Sequence, residues 1–224
     1  RGCQHMRLGA VLVTFASLWS ICPTLAMSTA PKITLYTHTA CPFAQRVWIA
    51  LEATGLDFER VDVNLYGSGG FDKTQLRKVE AAGGLLPKGY IPVMSIGDEV
   101  VRESSVLVDR VAQLSQTVPD AISLVAGDTQ EAASLIALCN GLPKSSSSRE
   151  LDQLMRRADE AVGKTDAFLA GSTFSIADAC LLPFLQRVED DIPDDAKNLR
   201  AYMQRVHSFP AFAKTVVSSW WWWW

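Results

Sequence analysis

Cys41 stands directly before Pro42, and the residues on either side place the pair where a thiol can do chemistry. Lys32 to Tyr36 (KITLY) reads as a short strand, and Phe43, Val47 and Leu51, with Ala44 and Trp48 beside them, recur at helical spacing. Cys41 is therefore predicted at the N-terminus of a helix and the C-terminal edge of a strand, where α/β sheets place ligands. Pro42 suits the first helical turn, where its missing N–H costs nothing. Unpaired N–H groups and the helix dipole favour a thiolate there, drawing the pKa from about 8.5 toward neutrality. The expected result is a sulfur that is nucleophilic at physiological pH.

Two further features follow Cys41 in the chain. Ile91-Pro92 sits in a strand pattern, and a proline there is expected at an edge or in a special turn, with a cis bond as one form. An edge beside a thiol can pair with an extended peptide through the backbone of Ile91. Glu103-Ser104 opens a predicted helix, where N–H groups and the Ser hydroxyl suit a carboxylate and the Glu side chain suits an ammonium. A zwitterionic amino-acid end needs both. Singly, these are an edge proline, a helix cap and a lone thiol, and their order and spacing argue for a shared site. His38, three residues before Cys41, is a candidate base, with a loop histidine of no catalytic role as the simpler reading.

The other cysteines narrow the chemistry. Cys3, Cys22, Cys41, Cys139 and Cys180 form an odd, widely spaced set without a C-x-x-C pair or a Cys/His cluster at metal-ligand spacing. That excludes a disulfide framework and a structural zinc site. Cys139 and Cys180 lie in apolar helical runs and are expected to be packing residues. No metal is expected. The formal charge of −3 gives no electrostatic footprint for nucleic acid.

The elements that must position these residues fall into two units. Over 32–116 the order is β-α-β-α-β-β-α: KITLY, the helix ending at Gly55, Phe58 to Val63, a helix from Asp72 to Ala81, a hairpin from Ile91 to Val101 around Gly97-Asp98, and a helix from Ser104 to Leu114. Over 120–217 the pattern is helical throughout, with breaks at Gly141 to Pro143, the Ser145 to Ser148 run, Gly171 and Ile192-Pro193. Ile176 to Val188 is apolar nearly all round and reads as one buried helix despite Pro183. Ser175 and Asp178 form a capping-box pattern at its start. Residues 1–31 stand apart. Leu8 to Ile21 is mostly apolar behind Met6-Arg7, and it reads either as a secretory-type leader or as sequence upstream of a start at Met27. The first reading implies secretory or organellar entry, the second a cytoplasmic protein. Residues 218–224 form a tail with five consecutive tryptophans, Trp220 to Trp224, that no packed element requires.

The run Cys41-Pro42-Phe43-Ala44-Gln45-Arg46-Val47-Trp48, with Ile91-Pro92 and Glu103-Ser104, resembles the glutathione transferase family. The Cys-Pro-Phe form and its continuation are most similar to the cysteine-dependent lambda class, with omega enzymes and dehydroascorbate reductases as neighbours. The resemblance implies a thioredoxin-like N-terminal domain followed by an all-α C-terminal domain, and glutathione as co-substrate. It further implies that Cys41 forms a mixed disulfide with glutathione and that Phe43 lies nearby. Ile91 pairs with the cysteinyl backbone, Pro92 is cis, and Glu103 with Ser104 holds the γ-glutamyl end. Lys88 and Lys78 are candidates for the glycyl carboxylate, which the long glycine-rich stretch 67–88 leaves unassigned. Ser175 and Asp178 match the family's structural cap.

The implied activity is monothiol transfer to or from small oxidised substrates, dehydroascorbate among the candidates, because Ala44 offers no second thiol. The implied second substrate is small and apolar or oxidised, and the implied state a monomer or homodimer. Two rivals are a membrane-associating protein similar to chloride intracellular channels and a non-catalytic glutathione-dependent carrier. Against the first, Arg46, Glu52, Glu59, Arg60 and Asp62 make the region that would insert too charged for a bilayer.

Overall fold

The structure is a computed structural model that describes residues 30–67, 69–142, 148–165 and 167–216. The leader reading, the Trp220 to Trp224 run and Ser145 to Ser147 of the serine run lie outside the described residues.

Strand β1 (Ile33–Thr37) runs into helix α1 (Pro42–Thr54), which Gly55 closes at φ 70. A left-handed C-cap is where glycine is at home. Next come β2 (Phe58–Asp62), α2 (Lys73–Ala82), the hairpin β3 (Val93–Ile96) and β4 (Glu99–Arg102), and α3 (Ser104–Ser115). The sheet order is β2-β1-β3-β4, with β2 parallel to β1 and the other pairs antiparallel. The α/β order read from the pattern is the one observed.

α2 starts one residue later than expected because Asp72 caps it: its carboxylate accepts from the N–H groups of Thr74 and Gln75, and Gln75 Oε1 accepts from Asp72 N–H. At its other end Gly83 comes so close to β4 that a Cβ there would lie 2.3 Å from Val100 Cβ. α2 ends where only glycine fits.

Beyond Ser115 the regular elements among the described residues are all helical: α4 (Thr129–Asn140), α5 (Ser148–Thr165), α6 (Ile176–Leu185), a 3-10 segment (Gln186–Asp191), α7 (Lys197–His207) and α8 (Pro210–Ala213). The single buried helix expected from Ile176 to Val188 is thus two pieces. Its helical form ends at Leu185, two residues after Pro183, and Val188 leaves helical geometry at φ −117, ψ 18. α6 is the axis of the core, with Ala177, Ala179, Cys180, Leu181, Leu182 and Leu185 all buried. α1 packs on α3, α6 and α8, so the thiol-bearing helix forms the seam between the two units.

Candidate active site

Cys41 is the N-cap residue of α1, in extended geometry at φ −93, ψ 115. Its N–H donates to His38 O (3.1 Å), and its carbonyl accepts from Ala44 and Gln45 N–H. The backbone N–H groups of Phe43 and Ala44 favour its thiolate. Two cations also act on the thiolate: Arg187 from the 3-10 segment and Arg46 from α1. These four influences favour the charged form, as expected at a helix start. Burial outweighs them, and the Cys41 pKa lies above the ordinary thiol value. This corrects the expectation of a pKa near neutrality. The N-terminal position was legible in the sequence, but not the burial that withdraws water from the thiol.

His38 Nδ1 accepts from Ala40 N–H (3.0 Å) and so holds the turn that leads to Cys41. Cys139 and Cys180 are buried, and desolvation pushes their pKa values up to about 12 and about 11. Both are the inert packing residues expected.

Beside α1 opens a cleft of about 560 Å³, lined by Phe43, Lys88, Ile91, Pro92, Glu103 and Ser104 among others. Of the glutathione-site residues proposed from the sequence, Phe43, Lys88, Ile91, Pro92, Glu103 and Ser104 thus share one cleft, while Lys78 and Cys41 are not in its lining. Cys41 itself is half-buried, although Phe43 and Arg46 of α1 do line this space. The Ile91-Pro92 bond is cis, as expected. Glu103 is exposed, lines the cleft, holds an uncommon φ of 73 and makes no side-chain capping bond to α3. Ser104 begins the first turn of α3, where free N–H groups suit a carboxylate. The cleft offers an ammonium partner and a carboxylate partner side by side. A second hollow of about 500 Å³, around Lys32, Leu56, Asp57 and Leu114, contains none of the expected site residues.

Comparison with known proteins agrees with this geometry. Residues 35–119 match the family model for the glutathione S-transferase N-terminal domain, and residues 147–205 match that for its C-terminal domain. The two matches together span more than half of the chain. The chain belongs to the glutathione S-transferase family.

Glutathione S-transferase Z1 of Arabidopsis thaliana is 33% identical over 84 residues, which is 38% of this chain and 35% of that protein. Among solved structures, glutathione transferase Omega 3C of Trametes versicolor superposes with a TM-score of 0.66 at 17% identity, covering 85% of this chain and 91% of that one. Omega 1C of the same organism gives 0.63 at 22%, covering 84% and 92%. At these identities the likeness shows the fold.

Within the glutathione S-transferase frame, the two candidate lysines separate. Lys88 lines the cleft and Lys78 does not; Lys73, at the start of α2, lines it and was not anticipated. Sequence reasoning also missed three groups that assemble around α1. Arg46 is 1% exposed, donates to Asn140 Oδ1 (2.6 Å) and lies over the rings of Phe43 (5.1 Å) and Phe184 (5.5 Å). Asn140 comes from α4 and Arg187 from the 3-10 segment, more than ninety residues along the chain. The helical period of α1 pointed to its core face, but nothing local marks which partner a distant helix supplies. Ser175 and Asp178 act as expected at the base of α6: Asp178 Oδ2 accepts from Ser175 N–H (2.8 Å) and Ser175 Oγ (2.9 Å).

Proposed function

We propose that the protein is a glutathione-dependent thiol transferase in which Cys41 carries glutathione as a mixed disulfide, in the manner of lambda and omega transferases. The observation that carries this reading is the placement of Cys41: a thiol at the N-cap of α1, with the Phe43 and Ala44 N–H groups and two arginines favouring its charged form, two residues before Phe43, which lines the cleft with cis-Pro92, Glu103 and Ser104. In the first step the Cys41 thiolate attacks the glutathione sulfur of a mixed disulfide R–S–SG. The Cys41–SG bond forms, the S–S bond between RS and SG breaks, and RS⁻ leaves with its electron pair. In the second, the thiolate of another glutathione attacks the sulfur of the enzyme-bound glutathione, releasing oxidised glutathione and the Cys41 thiolate. With Ala44 in the first turn and the other described thiols buried, the second thiol comes from solution.

A raised thiol pKa is compatible with this cycle. It leaves less thiolate at neutral pH, but thiolate nucleophilicity rises with pKa, so part of the loss is recovered in reactivity. The second substrate approaches from the side of Phe43 and Phe184, whose rings meet edge to face at 5.4 Å. That aromatic wall suits a small apolar or oxidised molecule.

Cys41→Ser tests the assignment. The wild-type chain is expected to gain the mass of one glutathione on exposure to oxidised glutathione and to turn over hydroxyethyl disulfide. The variant is expected to do neither while still binding reduced glutathione. Disulfide turnover retained in Cys41→Ser would refute the role of Cys41.

A further inference from the structure

The connection from α2 to β3 carries Lys88, Gly89, Tyr90 and Ile91 into the cleft wall, yet residues 85–90 belong to no helix or strand. Something other than secondary structure must hold them. Lys73, Arg77 and Glu80 lie at i, i+4 and i+7 on α2, one face of the helix, and that face meets the connection. Glu80 is fully buried, and its Oε2 accepts from both Lys88 N–H (2.8 Å) and Gly89 N–H (2.7 Å). Gly89 has φ 69, and a Cβ there would lie 3.0 Å from Arg77 Nε and 3.3 Å from Lys73 O. The backbone is pressed onto α2 at the residue that follows Lys88.

Arg102 completes the arrangement. Its Nη1 donates to Leu86 O (2.7 Å) and stands 3.5 Å from Glu80 Oε1, which has no hydrogen-bond partner of its own. Arg102 is held independently by its pairing with Val93 in the sheet, one residue before Glu103. The γ-glutamyl wall thus rests on β4 and α3, whereas the Lys88 wall rests on Glu80.

We propose that Glu80 is a positioning residue for glutathione: by fixing the Lys88 and Gly89 amides from beneath, it sets the affinity for the glycyl end of the tripeptide without touching it. This rests on the assignment of the cleft to glutathione. A buried carboxylate with two backbone donors has no role in capping α2, whose C-terminus is closed by Gly83.

The test compares equilibrium binding of glutathione and of γ-glutamylcysteine, which lacks the glycyl residue, to the full chain under a phosphine reductant. Glu80→Gln keeps the shape and removes the charge. It is expected to weaken glutathione about tenfold and to leave γ-glutamylcysteine within about twofold. A role in folding alone would weaken both ligands together and would overturn the proposal. Unchanged binding of glutathione by Glu80→Gln, or a wild-type chain that does not distinguish the two ligands, would also overturn it. A wild-type chain that binds neither ligand would instead refute the glutathione assignment of the cleft. If Glu80→Gln does not fold, Glu80→Asp retains the charge one methylene short and is expected to show the same split in smaller measure. Failure of both variants to fold would make the carboxylate structural and end the proposal.

Discussion

At Cys41 desolvation and charge pull in opposite directions, and the balance is measurable. Burial favours the neutral thiol; the Phe43 and Ala44 N–H groups, Arg187 and Arg46 favour the thiolate. Because the folded-state pKa lies above the unfolded one, the stabilising contribution of the neutral thiol is present below the unfolded pKa and is lost as pH rises through the folded value. The same sign governs reactivity. Carbamidomethylation of Cys41 is expected to be slower than that of a free thiol at neutral pH, and to keep climbing beyond about pH 8.5, where a free cysteine is half ionised. The charged groups about the sulfur then become separable. Arg187, whose own pKa burial lowers to about 10, is held on the first turn of α1 by its Nη1 bond to Gln45 Oε1 (2.7 Å). Arg187→Gln removes an attractive charge, so the Cys41 titration is expected to move further up and the neutral-pH alkylation rate to fall about threefold or more. A rate unchanged in the variant would show that the backbone donors and Arg46 carry the thiolate alone.

At the scale of elements, the legible part was whatever a local period or a turn residue specifies. β1, α1, the hairpin and α3 were readable because their apolar residues recur at two or at 3.6 and their ends carry Gly55, Gly97 and Ser104. Glu80 was not, since on the polar helix α2 a glutamate reads as solvated, and only the return of the chain at Lys88 and Gly89 buries it. The break of α6 near Pro183 was marked by the proline itself, but the apolar run of Ile176 to Val188 outweighed it in the reading. The clearest success was the start of α6, and it yields a prediction. Asp178 is fully buried and accepts from Ser175 N–H and Oγ, from Leu169 N–H (3.0 Å) and from Tyr202 OH (2.8 Å). Burial still raises its pKa, so these donors offset desolvation without overcoming it. Asp178→Ala would strand four donors in the core and is expected to cost about 3 kcal/mol or more, read as a lower denaturant midpoint. A loss under about 1 kcal/mol would show that water or a shifted helix replaces the carboxylate.

At the scale of the whole molecule, the thiol helix is also the seam between the two units, and one side chain spans the distance in sequence. Gln45 is 1% exposed; its Nε2 donates to Gln186 Oε1 (2.9 Å) and Thr215 O (3.1 Å), and its Oε1 accepts from Arg187. No period or spacing reveals this, because Gln45 sits in the first turn of α1 while its partners lie near the other end of the described chain. The bonds tie Cys41's helix to the 3-10 segment and to the residues after α8, so the placement of the thiol and the association of the two units share one support. Gln45→Ala is expected to lower stability by about 2 kcal/mol, since it leaves buried donors and acceptors unmet. It should also release Arg187 from the first turn of α1, so that Cys41 alkylation slows along with the drop in midpoint. Gln45→Glu separates the two effects. It can still accept from Arg187 but cannot donate to Thr215 O, so it is expected to lose stability while keeping Arg187 near the thiol. Retained Cys41 reactivity in Gln45→Glu, with loss in Gln45→Ala, would show that the arginine is held on α1 by this contact. Equal loss in both would show that the Gln45 Oε1 contact is not what keeps the arginine near the thiol.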